Sequence, residues 1–492
     1  MSLLTDDWPV LTGKLSHYLG FDLPPHRGQD LQNALREASR DLAYASPQAF
    51  HEWLVAHDWG DREVRAIATY LTVGETYFHR DGESLAMLCE HVLAPLVEQR
   101  RRSGRYLRIW SAGCSTGEEP YMLAILLHRI VPDIADWNLH LLATDINPTA
   151  LDRAIAGKYR EWAFREAPEW LRRSYFASLP DGQTQQLIPA IRDLVQFRFL
   201  NLADATYPSL LNDTNAMDVI VCRNVLIYFG AEQQAQVVQR LSHALVPGGY
   251  LVTSPSESYS ERFVGLAPTR YGTRTFYCKQ AAAPAKPRPE ASRQRPVMPL
   301  PQPRPAPPQR PPQPLARRPA PAPPEKPASA LEQARASYAS GDYPATIASL
   351  EAAAQLDVAG LTLLTRAHAN LGRWTEAVAA IQQALTRDKL NPSLHFLEAN
   401  LHQEQGQQGP AIAALQRAIY LDPTFVIAHL SLAMLYRHHG PNPAAAERHL
   451  RSATALLRQL PADAPIPESE GLLAGQLLHQ FHLLSTEAPV HD

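Results

Sequence analysis

Cysteine is scarce in this chain: four residues in 492, at Cys89, Cys114, Cys222 and Cys278. None sits in a CxxC pair, so the spacing excludes a disulfide framework and a zinc knuckle. Histidine is commoner, at 19 residues, yet forms no HExxH, and no metal site is expected. No apolar run approaches the roughly 20 residues that a membrane helix needs. The amino-terminal MSLLTDDWPV places no basic segment before a long apolar one, so no signal peptide is expected. An excess of one charge is also missing, with a formal net charge of -3. A near-neutral chain lacks the field that nucleic-acid binding requires, and no NPPY motif marks a base-modifying enzyme. These absences predict a soluble, cytoplasmic protein with no nucleic-acid partner. Its 492 residues suffice for two or three separate cores.

The usual phosphate-binding glycine patterns are absent too, and a different one stands in their place. Residues 107–121 read LRIWSAGCSTGEEPY. A short apolar run ends at Ser111, a Gly/Ser turn covers 112–117, and Glu118-Glu119 open an apolar helical pattern. Strand, glycine turn and helix is the order that brings backbone close to a nucleotide-like ligand. No Lys follows Gly117, so phosphoryl transfer lacks its usual charge. The two acids suit the positive end of a helix dipole, and they would also favour a cationic ligand over a pyrophosphate. Asp145 closes the next apolar run. It reads either as an acceptor for ribose hydroxyls or as a turn aspartate before the helix at Pro148. Arg223-Asn224 end a third run, with Tyr228 close behind as a pocket residue or as a half-buried aromatic. Together these describe a nucleoside-bearing cation, and S-adenosylmethionine fits. Cys222 has no second cysteine to support covalent chemistry, and packing is its expected role.

The first 80 residues show helical spacing, notably at 31–46 and 48–71. From Leu107 short apolar runs alternate with helices. Residues 139–146, 194–203, 217–229 and 250–254 read as buried strands, with helices at 148–155 and 232–245. Pro247-Gly248-Gly249 reads as a helix stop and turn, and 271–279 as a final antiparallel edge strand. Such alternation predicts an α/β fold with a doubly wound parallel sheet. Composition breaks near residue 281. Eighteen of the 43 prolines and nine Lys/Arg against two acids fall in 281–327. This is a disordered, extended linker, either a solvated spacer or a strip for an acidic partner. Beyond it Gly341, Gly372 and Gly406 each precede an alanine-rich helical pattern. A fourth, looser copy runs through Ala433, Tyr436, Gly440, Ala446 and Ala453. The series is similar to the tetratricopeptide repeat, an all-α array that presents a groove to a protein partner.

Six segments occur in order: TYFHRD (76–81), SAGCSTGEEPY (111–121), ATDINPTALDRAIAGKYRE (143–161), FRFLNLAD (197–204), VCRNVLIYF (221–229) and PGGYLVTSPSES (247–258). The set resembles the CheR family of protein-glutamate O-methyltransferases, which modify chemotaxis receptors. The linker and repeats resemble its tetratricopeptide-bearing subclass, which includes WspC-type enzymes of surface-sensing pathways. The resemblance implies a helical subdomain at 1–75 and a Rossmann-like class I methyltransferase domain at 76–280. A small insert at 157–196, a linker at 281–328 and repeats at 329–492 complete the division. In some family members the insert binds a receptor tail peptide.

The resemblance also implies roles. Thr76 and Arg80 would hold the methionine carboxylate of the cofactor, with Gly74 where the family often has Asn. Gly113 belongs to the glycine turn, and Glu118 would face the cofactor ammonium. Asp145 would take the ribose, Asn201 and Leu202 would border the adenine, and Arg223 and Asn224 would line the pocket. Tyr228 would stand near the methyl group. An arginine in the helix before the first strand is also implicated. Arg100 is the candidate, and the sequence does not separate it from Arg101 and Arg102. The implied partner is a methyl-accepting chemotaxis-type receptor, which alone would bring the enzyme to a membrane. A glutamate side chain is already ionised near pH 7, its pKa being about 4.3. No Ser/His/Asp set is therefore needed, only placement and desolvation.

Overall fold

A computed structural model describes residues 7–209, 212–257, 263–280, 330–353, 355–439, 443–462, 464–469, 473–475 and 477–478. Four helices come first: α1 (Trp8–Leu19), α2 (Gly28–Asp41), α3 (Pro47–Ala56) and α4 (Asp61–Leu71). In α2 the apolar residues Leu31, Ala34, Leu35 and Ala38 recur at three-and-four spacing and are all buried. The helical spacing over 48–71 divides between two helices. It breaks at His57–Gly60, where His57 turns extended and Gly60 starts α4 with Glu63 returning to its N–H at 3.1 Å.

Ten strands follow: β1 (Tyr106–Ala112), β2 (Asn138–Asp145), β3 (Lys158–Arg160), β4 (Phe176–Ser178), β5 (Thr184–Leu187), β6 (Val195–Phe199), β7 (Met217–Val221), β8 (Leu245–Val252), β9 (Leu266–Tyr271) and β10 (Arg274–Lys279). Seven form one sheet in the order β6-β2-β1-β7-β8-β10-β9. The first five are parallel, and β10 is antiparallel to both its neighbours. Before β1 run α5 (Gly82–Leu88) and α6 (Ala94–Ser103), and between the strands run α7 (Glu118–Ile130), α8 (Pro148–Ala156), α9 (Glu169–Tyr175), α10 (Pro189–Arg192) and α11 (Ala231–Ala244). One core, including Ile109, Leu123, Val219 and Phe276, lies on one face of the sheet. A second, including Trp110, Leu142, Ile220 and Leu241, lies on the other. Burial on both faces explains why β7 is apolar almost throughout. The strands β3, β5 and β4 form a separate antiparallel sheet within 157–196.

Four expectations change. The 194–203 run is strand only to Phe199, because the Asn201 side chain accepts from the Ala203 N–H at 3.0 Å and turns the chain. The 217–229 run is strand only to Val221, because Asn224 takes a left-handed φ of 59°. Pro247-Gly248-Gly249 lies inside β8 as an irregularity, where the pairing register with β7 shifts. The strand at 274–279 is internal. A hairpin through Gly272, with φ 57°, returns it between β8 and β9, and β9 holds the edge.

Among the described residues the carboxyl-terminal region is chiefly helical: α12 (Ala330–Ala339), α13 (Tyr343–Glu351), α14 (Val358–Asn370), α15 (Trp374–Arg387), α16 (Pro392–Glu404), α17 (Gln408–Leu421), α18 (Val426–His439) and α19 (Pro443–Leu457). Consecutive helices pack in pairs, each pair against the next, as tetratricopeptide repeats do. Gly341, Gly372 and Gly406 turn the first three pairs with φ between 67° and 73°. Alanines 377, 384, 411 and 418 are fully buried where helices touch. Gly440, expected in the fourth turn, lies outside the described residues, as does the 281–328 linker. No helix among the described residues is long and apolar enough to cross a membrane.

Candidate active site

The carboxyl ends of β1, β2 and β7 converge on one cleft, as expected where a doubly wound sheet binds ligands. At the end of β1, Gly113 adopts a φ of 83°, and a Cβ there would overlap the Val225 side chain. Gly117, φ 92°, lies so close to α8 that a Cβ would come within 2.8 Å of Ala154. Only glycine combines these dihedrals with this approach. The turn is tied to β2, since the N–H groups of Gly113 and Cys114 donate to the Thr144 carbonyl at 2.8 and 2.9 Å.

Asp145 sits at the next strand end with both carboxylate oxygens engaged. Ser115 N–H donates to Oδ2 at 2.7 Å and Asn147 N–H to Oδ1 at 2.8 Å. Burial pushes this carboxyl up, and the backbone donors oppose that. The helix cap is Asn147, whose side chain accepts from Ala150 N–H at 3.0 Å. Asp145 is thus free of capping duty and lines the cleft.

The two acids after Gly117 part company. Glu118 is buried and accepts from the Thr116 hydroxyl at 2.7 Å, off the cleft wall. Glu119 is on the wall instead. It accepts from Ser111 Oγ and from Arg223 Nε, each at 2.8 Å. The structure thus places Glu119, rather than the expected Glu118, on the cleft wall. Adjacent helical residues point about 100° apart, and the packing of α7 turns the second acid inward. Arg223 also donates to the Arg80 carbonyl at 3.1 Å. Asn224 follows in its left-handed turn. Its N–H donates at 2.8 Å to Glu257, which also accepts from Ile227 and Ser254 N–H. Glu257 is fully buried and fixes the loop that carries Tyr228. Sequence reasoning assigned it no role; the acid inside SPSES was the available signal. The thiols of Cys114 and Cys222 are buried, and that burial pushes them far above their ordinary range.

The strap 74–80 closes another side. Gly74, Thr76 and Arg80 line the cleft together with Gly113, Asn201, Leu202, Arg223, Asn224 and Tyr228. Leu19 and Phe21, from the end of α1 and just beyond, complete the wall. Sequence reasoning missed both. Arg100 is the clear exception. It bonds the Tyr106 hydroxyl and the Asp218 carboxylate at the amino ends of β1 and β7, across the sheet from the cleft. Arg101 pairs with Asp133 and Arg102 with Glu98, also away from it. Arg100 therefore lies at the base of the sheet, where α6 delivers it, and not on the cleft wall.

The cleft holds a cavity of about 110 Å³ that opens to solvent. Tyr228 also borders a smaller hollow with Phe21, Asp22, Leu23, Arg27, Leu71 and Thr72. Burial raises the Tyr228 pKa, and the positive charges of Arg27 and Arg80 oppose the rise.

Residues 74–267 match the family model described as CheR methyltransferase, SAM binding domain. A probable chemotaxis protein methyltransferase of Rhizobium etli is 35% identical over 246 residues, 48% of this chain and 90% of its own length. The chain belongs to the CheR family. Chemotaxis protein methyltransferase 2 of Vibrio cholerae is 38% identical over 217 residues, covering 44% of this chain and 73% of the relative. The probable biofilm formation methyltransferase WspC of Pseudomonas aeruginosa is 30% identical over 280 residues, covering 56% and 63%. This CheR protein is a methyltransferase whose methyl donor is S-adenosylmethionine. The donor set fits that cofactor. Its ammonium and sulfonium call for acids, its carboxylate for a cation and its nucleoside for acceptors with apolar walls. Glu119, Asp145, Arg80, Leu202 and Phe21 offer these within one cleft.

Proposed function

We propose that this CheR protein esterifies glutamate side chains of chemoreceptor-type proteins. The observation that carries the reading is the place of Tyr228, on the wall shared by the large cleft and the smaller Arg27 hollow. One side suits the cofactor and the other suits an incoming carboxylate. When bound, S-adenosylmethionine supplies a methyl group on a sulfonium. The glutamate oxygen would accept that methyl group, with the carbon–sulfur electron pair left on sulfur. No proton moves, so the transfer requires no general base.

The residues of the chain orient and exclude. Asp145 takes the ribose hydroxyls, Asn201 and Leu202 border the adenine, and Gly113 admits the cofactor close to backbone. Thr76, Arg80 and Gly74 form the carboxylate end. Glu119, oriented by Arg223, faces the ammonium, and Asn224 closes the wall. Tyr228 stands at the methyl group with a protonated hydroxyl. Arg27, ion-paired with Asp30 at 2.8 Å, draws the glutamate carboxylate inward. The helices of 1–75 face the receptor, the enzyme reaches the membrane through that receptor alone, and the repeats of 329–492 hold a further protein. The test is labelled methyl transfer to a receptor cytoplasmic fragment. A base-labile product on glutamate is expected. Label that survives base, or that appears only on small molecules, overturns the reading.

A further inference from the structure

The amino ends of the parallel strands form the edge of the sheet opposite the cleft, and three turns of the repeat array rest along it. Gly341, between α12 and α13, meets His243 near the end of α11, where a Cβ would overlap the imidazole. Gly372, between α14 and α15, lies beside Val246 of β8 and Ala216 just before β7. A Cβ on Gly372 would stand 3.4 Å from Val246. Gly406, between α16 and α17, faces Asn138, the first residue of β2, with a Cβ distance of 3.5 Å. Successive turns therefore step across the strands in sheet order, from β8 and β7 to β2. The two spacings agree. Two strand separations come to about 10 Å, and packed helices lie about 8–10 Å apart. All three turn positions have positive φ, which favours glycine; a Cβ would clash only at Gly341 and would make ordinary van der Waals contact at Gly372 and Gly406.

An ion pair lies among these turns. Arg108 of β1 is ion-paired with Glu404 at the end of α16, and their side chains are only 7% and 4% exposed. The remaining guanidinium donors reach the carbonyls of Asn215 at 3.1 Å and Asp213 at 2.8 Å. Asn138 Nδ2 donates to the Glu404 carbonyl at 3.0 Å. Both side chains are buried at the contact; burial pushes the Glu404 carboxyl up to about 7, and Arg108 opposes that rise. Burial on this scale is tolerated only when the partner is present and the other donors are satisfied. Linker composition does not set the position, since an extended segment reaching about 3 Å per residue over 281–328 would allow many.

We propose that the repeat array is docked along the amino-end edge of the sheet and latched by Arg108–Glu404. A protein held by the repeats would then lie across the sheet from the methyl-transfer cleft. The repeats are thus a fixed part of the enzyme body, and their partner approaches from the side opposite the substrate.

Small-angle scattering of the intact chain tests this. The wild type should scatter as one compact body plus its linker. Glu404→Arg, which sets two cations against each other at the latch, should raise the radius of gyration by roughly a fifth. Its far-ultraviolet circular dichroism should be unchanged. Hydrogen exchange should accelerate at 138–141 and 243–246 in the same variant. A wild-type profile of two independently placed bodies overturns the docking. A folded Glu404→Arg chain as compact and as protected as wild type overturns the latch. Neither readout depends on methyl transfer.

Discussion

Arg223 Nε donates to Glu119 Oε2 at 2.8 Å, joining the end of β7 to the start of α7 across the cleft wall. The two side chains are 6% and 11% exposed, so the pair is nearly dry. Removing one partner leaves an uncompensated buried charge, which costs about 3–5 kcal/mol. Glu119→Ala should therefore lower the melting temperature and abolish measurable cofactor binding. Glu118→Ala should lose the Thr116 hydrogen bond and keep most of the binding. Titration calorimetry on both variants separates the two acids, and the opposite ranking would return the role to Glu118.

Asp145 accepts two backbone N–H groups at the rim of the glycine turn. Asp145→Ala should reduce S-adenosylmethionine affinity by roughly 10–100-fold, or about 1.4–2.7 kcal/mol. Unchanged affinity would falsify its ribose role.

Tyr228 and Glu257 should differ in how they fail. Tyr228→Phe keeps the ring and removes the hydroxyl at the proposed reacting centre, so kcat should fall with little change in cofactor affinity. Glu257→Gln weakens the hold on the Asn224 and Ile227 N–H groups. It acts through position and should broaden thermal unfolding as well as slow turnover. A Tyr228→Phe enzyme with wild-type kcat removes that hydroxyl from the reaction.

Acid should loosen the base of the sheet. Burial, aided by Arg108, pulls His140 down to about 3. Burial, aided by Lys279, pulls His243 down to about 4. An ordinary imidazole titrates near 6.5, so between these values the unfolded chain binds more protons than the folded one. Their contribution is complete above about pH 6.5 and falls as pH drops through 4 towards 3. Asp204, raised to about 6 chiefly by burial, works in the opposite direction. Urea midpoints at pH 7.5 and 4.5 for wild type and His243→Asn isolate the histidine. The variant should lose less stability on acidification; an equal loss excludes His243.

Much of the site was legible locally. The glycines at 113 and 117 sit where a strand must turn sharply into a helix, and that need is written in neighbouring residues. Asp145, Arg223 and Asn224 were legible because the carboxyl end of a parallel strand is where ligands bind. Glu119 was not, since its rotation about α7 is set by Arg223, 104 residues away. Nor was Arg100, because only the packing of α6 shows which of three consecutive arginines turns under the sheet.

The sequence alone determined the alternation of strands and helices, the cofactor turn and the repeat period, because these depend on side-chain spacing and backbone freedom over short stretches. Tertiary structure alone decided what depends on distant partners. Phe21 joins the cleft because α1 ends beside it, the strand at 274–279 becomes internal because a hairpin carries it there, and Arg108 meets a carboxylate 296 residues away. Such meetings are set by the summed packing of whole elements, and no local pattern encodes them.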